Sequence, residues 1–206
     1  MTHLSRRMFV TAAAALLLAG CAEHGGDGAA AARPGGTHVT PRPSADPSNA
    51  STARSRSVPV RLRIPGIGVD TSVMRLGLAQ DGSVQVPPIT AHDQAGWYQS
   101  SPVPGQTGPS VILGHVTVGP YGDGVFRRLD RLRRGDEISV RLENGTSAEF
   151  TVTSVRTVAK AEFPTDAVYG DVDRPELRLI TCGGPRTGDG YLDNVIVFAA
   201  SHTTRR

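Results

Sequence analysis

Cys182 and His115 are the two residues whose types and positions best suit nucleophilic catalysis. Cys182 follows the β-prone run at 177–181, and the Gly-Gly-Pro sequence at 183–185 predicts that a loop begins directly after it. His115 follows a second apolar run at 110–114. A cysteine attacks as its thiolate, and a neighbouring imidazole can remove the thiol proton or stabilise the resulting anion. The two residues are distant in the sequence, so only the fold can bring them together.

Each of these residues also has a purely structural interpretation. A free cysteine is among the most frequently buried residue types, where it packs as a small apolar side chain. A histidine at a strand end can simply cap that strand. The spacing alone does not decide between a catalytic pair and two structural residues.

Residues 1–21 resemble a bacterial export signal. Arg6 and Arg7 precede an apolar run at 11–18, as in twin-arginine signals. The segment ends in Leu-Ala-Gly-Cys at 18–21, which resembles the lipobox of bacterial lipoproteins and predicts lipidation of Cys21. An ordinary secretory signal that contains a cysteine is the alternative. We therefore expect the protein at the extracytoplasmic face of the cell membrane, anchored by a lipid, or otherwise secreted.

A tether is expected between this signal and the folded domain. Residues 22–57 are rich in Gly, Ala, Pro, Ser and Thr and nearly lack large apolar side chains, which predicts disorder. A chain of that length has a root-mean-square reach of about 30–35 Å, so the domain would work just above the bilayer. From residue 58 the pattern changes, and we expect a catalytic domain at 58–200 and a polar tail at 201–206.

The composition limits the classes of protein to which the chain can belong. It has 206 residues, 38% of them hydrophobic, which is compatible with one domain plus additional segments. The formal net charge is only +3, and no basic run is interleaved with aromatic residues, so we expect no nucleic-acid surface. Because Cys21 belongs to the export signal, Cys182 is left as an unpaired thiol. An unpaired thiol in an exported protein is potentially reactive.

Short strands dominate the predicted domain. Asn144-Gly145 is a strong hairpin signal between two of them. One or two helical turns are expected at 125–134, and a short helix or turn begins at 163–165. The count of about eight strands with little helix predicts a closed barrel or a sandwich. The clearest predicted strands are 60–64, 69–74, 110–114, 137–142, 148–158, 177–181 and 191–199.

Several motifs in this domain, in order and spacing, resemble those of sortases, most closely the class F sortases of high-GC Gram-positive bacteria. The resemblance covers about residues 58–200 and implies an all-β fold, a closed eight-stranded barrel with one or two short helices. The motifs include Trp97-Tyr98, Val-Ile-Leu-Gly-His at 111–115, Leu-Asp-Arg-Leu at 129–132, Gly-Asp at 135–136, Phe-Pro-Thr at 163–165, Leu-Arg-Leu-Ile-Thr-Cys-Gly-Gly at 177–184 and Tyr-Leu-Asp-Asn-Val-Ile-Val-Phe-Ala at 191–199.

The resemblance implies cysteine transpeptidation. Cys182 would attack the Thr–Gly bond of a Leu-Pro-x-Thr-Gly-like sorting signal on a secreted protein and form a thioacyl intermediate. His115 would protonate the leaving amine and later deprotonate the acceptor, an amine such as a peptidoglycan precursor or a pilin lysine. Sortases need no metal or organic cofactor, so none is expected here.

The sequence departs from the sortase pattern at one position of the proposed site. Sortases carry an arginine on or just before the last strand, where it holds the substrate carbonyl, but the predicted strand at 191–199 contains none. Leu192 and Asn194 stand in its place. Arg186 is the predicted substitute because a guanidinium suits a carbonyl oxygen, and Asn194 is a weaker donor. The departure leaves two alternatives open, a catalytically weak sortase-fold binding lipoprotein and an envelope thiol hydrolase.

Overall fold

The computed structural model describes residues 57–188 and 190–201. The predicted export signal, the lipidation at Cys21, the tether up to residue 56 and most of the polar tail lie outside the described residues. Across the described ranges, no helix has both the length and the apolar character needed to cross a bilayer.

Eight strands close into a barrel in the order β1-β2-β3-β4-β9-β10-β8-β7, with β7 pairing back to β1. The β2–β3 and β4–β9 pairs are parallel, and the other pairs are antiparallel. The prediction of an all-β, closed eight-stranded barrel with short helices is confirmed. The strands are β1 (Pro59–Ile64), β2 (Val69–Leu76), β3 (Ala95–Tyr98), β4 (Gly108–Leu113), β5 (Thr117–Val118), β6 (Gly122–Asp123), β7 (Glu137–Leu142), β8 (Ser147–Ala159), β9 (Pro175–Thr187) and β10 (Gly190–Ser201), of which β5 and β6 form a separate two-stranded sheet.

Alternating side chains divide the apolar residues between two surfaces of the barrel wall. Residues of one parity fill the interior, for example Leu179 on β9 and Val197 on β10. Residues of the other parity on the same strands, such as Ile180 and Ile196, form a second cluster on the outer surface. This outer cluster includes Val168 of a short α-helix, α1 (Thr165–Tyr169), which covers that part of the wall. We call the surface that carries this second cluster the outer face of β4, β9 and β10.

Of the one or two helical turns expected at 125–134, the described structure has one, the 3₁₀ turn Leu129–Arg131. Phe126, Leu129 and Leu132 are all buried at a spacing of three, which matches the three-residue period of a 3₁₀ helix and inserts these side chains into the core. The prediction at 163–165 holds, because α1 begins at Thr165.

The prediction of a loop directly after Cys182 was wrong, because β9 continues to Thr187. Gly183 pairs with Asp193 of β10, and Arg186 pairs with Tyr191. The register shifts between Tyr191 and Asp193, and Gly184 has a left-handed φ of 70°, which glycine adopts readily. Gly183 and Gly184 therefore permit an irregular hairpin of β9 and β10, where the Gly-Gly-Pro sequence suggested a loop.

A buried arginine ties α1 to the outer face. Arg178 is only 3% exposed, and its guanidinium donates to Glu176 at 2.7 Å and to the backbone oxygen of Ala167 at 3.2 Å. It also lies 4.7 Å from the centre of the Phe198 ring. Burial by itself raises the pKa of Glu176, but hydrogen bonds from Arg174 and Arg178 outweigh it, so the pKa of this carboxyl lies below its ordinary value. The Arg178 side chain on β9 thus joins α1 to the Glu176 carboxylate.

We expect Arg178→Ala to lower the free energy of unfolding by about 3–5 kcal/mol, because it leaves the half-buried Glu176 carboxylate without its buried partner. Urea denaturation followed by circular dichroism measures the change. Arg174→Ala is the matched control, since Arg174 binds the same carboxylate but its side chain is 64% exposed. That control should lose less than about 1 kcal/mol. Equal losses in the two variants would contradict the assignment of Arg178 as the anchor.

Candidate active site

Cys182 lies on the outer face of β9. Leu177 and Leu179 point into the barrel interior, whereas Arg178 and Ile180 lie on the outer face, so the alternation places Cys182 with the outer set. Its thiol is free, and the residue is half-buried. The cysteine is therefore held on a rigid strand and is not sealed in the core.

His115 is level with Cys182 on the neighbouring strand. The parallel register of β4 and β9 pairs Leu113 with Ile180, and the ladder continues because Gly114 N donates to the backbone oxygen of Ile180 at 3.1 Å. Thr181 Oγ1 then donates to the backbone oxygen of Gly114 at 2.8 Å. Val111 and Leu113 lie on the outer face, so the same alternation directs His115 there. Neighbouring strands lie about 4.8 Å apart. The two predicted residues thus stand side by side, His115 just beyond the end of β4 and Cys182 within β9.

The segment between β2 and β3 fixes the imidazole of His115. Its Nε2 lies 2.6 Å from the backbone oxygen of Pro87. A carbonyl oxygen can only accept, so Nε2 carries a hydrogen and donates it. In neutral His115 the other ring nitrogen, Nδ1, is then the free acceptor. The backbone is held as well, because Phe126 N donates to the His115 oxygen at 2.8 Å.

Gly124 makes room for this backbone contact. A Cβ atom at Gly124 would overlap the carbonyl oxygen of His115, so no larger residue fits without a shift of the histidine. The position of His115 thus depends on three separate segments: the end of β4, the segment that contains Pro87, and the chain from 124 to 126.

Asn194 completes a row of three side chains across the outer face. The antiparallel register of β9 and β10 pairs Ile180 with Ile196 and Cys182 with Asn194. Because Ile180 and Ile196 both belong to the outer cluster, Cys182 and Asn194 share that face. Asn194 is half-buried, and no other group in the described ranges hydrogen-bonds to its carboxamide. His115 therefore lies on one side of the thiol and Asn194 on the other.

A cavity of about 360 Å³ reaches Cys182 from the interior side of β9. Sequence reasoning missed its two charged residues, Arg127 and Asp130, because nothing in the local pattern separates them from solvated surface charges. Arg127 forms an ion pair with Asp123, four residues earlier. The cavity is lined by Val116, Phe126, Arg127, Asp130, Thr157, Thr181, Cys182, Gly183, Gly184, Tyr191 and Val195.

Arg186 lies four residues beyond Cys182 on β9, with the left-handed Gly184 between them. Its side chain is exposed, and its guanidinium carbon lies 5.7 Å from the centre of the Tyr191 ring. The Tyr191 hydroxyl in turn is 2.7 Å from Thr117 Oγ1. The role of Arg186 as a carbonyl donor stays a prediction.

This arrangement suits acyl transfer. It combines a thiol for covalent attack, an imidazole for proton transfer and an amide donor on one half-exposed face. Within the described part of the chain, no three His, Cys, Asp or Glu side chains converge on a point where a metal ion would be held.

Solved sortase structures share this fold. Sortase A from Corynebacterium diphtheriae has a TM-score of 0.56 at 21% identity over 70% of this chain, which spans 60% of that protein's length. Sortase C-1 from Actinomyces oris has a TM-score of 0.57 at 21% identity, with 79% and 85% of the two chains covered. The pilus-related sortase C of Group B Streptococcus has a TM-score of 0.54 at 15% identity, with 72% of this chain and 69% of that chain covered. At these identities the likeness concerns the fold alone.

Sequence comparison extends this result. No curated protein sequence matches the chain. The family profile of the sortase domain matches residues 62–202, which include His115, Cys182 and Asn194. The match covers well over half of the sequence, and the chain therefore belongs to the sortase family.

Proposed function

We propose that this chain is a cysteine transpeptidase of the cell envelope, close to the class F sortases. It cleaves a Leu-Pro-x-Thr-Gly-like sorting signal on secreted proteins and joins the new carboxyl end to an amine, such as a peptidoglycan precursor or a pilin lysine. The observation that carries the proposal is that His115, just beyond the end of β4, is level with Cys182 within the paired strand β9.

The first half-reaction forms a thioester. The Cys182 thiol gives its proton to Nδ1 of His115, and the resulting thiolate attacks the carbonyl carbon of the scissile Thr–Gly bond, whose oxygen becomes an oxyanion. When the C–N bond breaks, the glycine nitrogen takes a proton from the imidazole of His115. Because Nε2 is bonded to the Pro87 oxygen, Nδ1 is the nitrogen that transfers this proton.

The second half-reaction reverses these steps with a new nucleophile. The acceptor amine attacks the thioester carbon and gives its proton to His115, and the Cys182 thiolate leaves. One amide bond is broken and one is formed, so the acyl group is transferred without an external energy source.

The resemblance of residues 1–21 to a lipoprotein signal supports a location at the outer surface of the cell membrane. We expect Cys21→Ser to move the protein from the membrane fraction to the soluble or secreted fraction, because a lipid chain would no longer be attached. Fractionation followed by immunoblotting measures this, with Cys182→Ser as the matched control. Retention of the Cys21→Ser protein in the membrane fraction would count against lipidation.

The function is tested by incubating the full-length protein in detergent with a fluorogenic sorting-signal peptide, with and without an amine acceptor. We expect cleavage at the Thr–Gly bond, a peptide–amine product and an acyl adduct on Cys182 in the intact mass spectrum. Peptide binding without an adduct would instead indicate a binding lipoprotein. Release of free acid even at high amine concentration would indicate a thiol hydrolase.

A further inference from the structure

We propose that the Asn194 carboxamide donates the hydrogen bond that stabilises the oxyanion formed at Cys182. This inference rests on the proposed acyl transfer and names the residue that takes the place of the missing last-strand arginine. It follows from the row formed by His115, Cys182 and Asn194 on the outer face.

The barrel order decides on which side of the thiol each group can act. β9 lies between β4 and β10, so His115 and Asn194 flank Cys182 from opposite edges. The proton-transfer group must approach the leaving nitrogen, and the carbonyl oxygen then points away from it. An oxyanion donor is needed on the side opposite the imidazole, and Asn194 is on that side.

The same geometry excludes an orienting role. In an arrangement where asparagine positions the histidine, the two side chains must touch. Here a whole strand separates them, so His115 and Asn194 lie roughly two strand spacings apart, about 9–10 Å. The carbonyl of Pro87 already holds the imidazole. Asn194 is therefore free to act on the substrate.

Register and pairing place the carboxamide close to the thiol. In an antiparallel pair, the Cβ atoms of directly opposed residues lie about 4.5–5.5 Å apart, and Cys182 is directly opposed to Asn194. Asn194 also pairs with Val158 of β8, so its strand is held on both edges. A donor on such a strand needs little reorganisation when charge develops on the substrate.

The other donor side chains of the neighbourhood are less suited. The guanidinium of Arg186 lies over the Tyr191 ring. Arg127 lines the same cavity as Cys182, but its guanidinium is paired with Asp123. Leu192 has no donor and sits where the register shifts.

Asp193 also fails as a donor. Its carboxylate packs against Gly184, where a Cβ atom would overlap it, and an ionised carboxylate can only accept. The Asn194 carboxamide, in contrast, offers two N–H donors.

The test compares four variants of the full-length protein, Asn194→Ala, Asn194→Asp, Asn194→Arg and Arg186→Ala. We expect Asn194→Ala to slow acylation of Cys182 by about 10²–10³-fold with little change in KM, because the lost contact exists mainly in the transition state. Asn194→Asp should lose at least as much, since its carboxylate repels the oxyanion. Asn194→Arg should recover activity, because a guanidinium restores a donor. Arg186→Ala should stay within about 3-fold of the parent.

A second readout does not depend on turnover. A sorting-signal peptide aldehyde adds the Cys182 sulfur to its carbonyl carbon, and the thiol proton passes to the oxygen or to His115, so the adduct carries the oxygen that Asn194 would bind. Affinity for this aldehyde should fall in Asn194→Ala and Asn194→Asp, while alkylation of Cys182 by iodoacetamide stays at the parental rate in Asn194→Ala, which brings no charge close to the thiolate. Unchanged aldehyde affinity in both variants overturns the proposal, as does a loss confined to Arg186→Ala. If the parent binds the aldehyde but never transfers an acyl group to an amine, the transpeptidase assignment fails and the Asn194 result still stands.

Discussion

Replacing Cys182 with alanine will abolish formation of the acyl adduct and reduce peptide cleavage by at least about 10⁴-fold. Covalent catalysis divides one difficult step into two easier ones, and alanine removes the only atom that can carry the acyl group. Liquid chromatography of the cleaved peptide and intact mass spectrometry of the protein measure the two effects. Because Cys182 is half-buried and its side chain is small, the variant should fold and bind the peptide with near-parental affinity.

Peptide binding is the internal control for this result. Fluorescence anisotropy of a labelled sorting-signal peptide separates a folded but inactive protein from one that no longer binds the peptide. A Cys182→Ala protein that cleaves the peptide as fast as the parent would refute the enzymatic assignment, whatever its binding affinity.

Replacing His115 with alanine should lower transpeptidation by about 10²–10⁴-fold, the range typical for loss of a positioned general acid or base. Both half-reactions need a proton transfer at the same place, so both should slow. Added imidazole should restore part of the activity, because a small base can occupy the space left by the side chain. Stopped assays over a series of imidazole concentrations measure the loss and the rescue together.

His92→Ala is the matched control for this experiment. His92 belongs to the segment between β2 and β3, and its ring lies 5.7 Å from the ring of Tyr121. Its removal should change transpeptidation by less than about 3-fold and should show no imidazole rescue. A His115→Ala protein that is as active as His92→Ala would remove the imidazole from the mechanism.

The sequence predicted those parts of the fold that depend on neighbours along the chain. The hairpin of β7 and β8 was predicted within a residue or so at each end, because Asn144-Gly145 forms the turn and both strands alternate regularly. β3 was missed, since its four residues pair with β2 in parallel and with β4 across loops, and nothing local marks them. The extension of β9 beyond Cys182 was missed for a similar reason, because it exists only through pairing with β10.

The sequence predicted which reactive residues form the candidate site, but not how the fold arranges them. Cys182 and His115 could be identified as residues at the ends of apolar runs, and their reactive side chains limited the chemistry. That they are level with each other depends on the parallel register of β4 and β9, which is a property of two distant segments. Arg186 was predicted near the thiol because a flexible loop was expected there, but this residue belongs to the continuous strand β9 and its guanidinium lies over the Tyr191 ring. Asn194 gains its position from register alone.

The parallel contact between β4 and β9 has a consequence for the life of the chain before it is complete. The imidazole lies in the middle of the sequence, whereas the thiol and the amide lie in its last strands, so a nascent or truncated polypeptide holds a histidine without its partners. Contacts between such distant segments form late, after the closure of long loops. While the chain is still being synthesised, the reactive groups are therefore apart, and the proposed acyl transfer can begin only when the hairpin of β9 and β10 has closed the barrel.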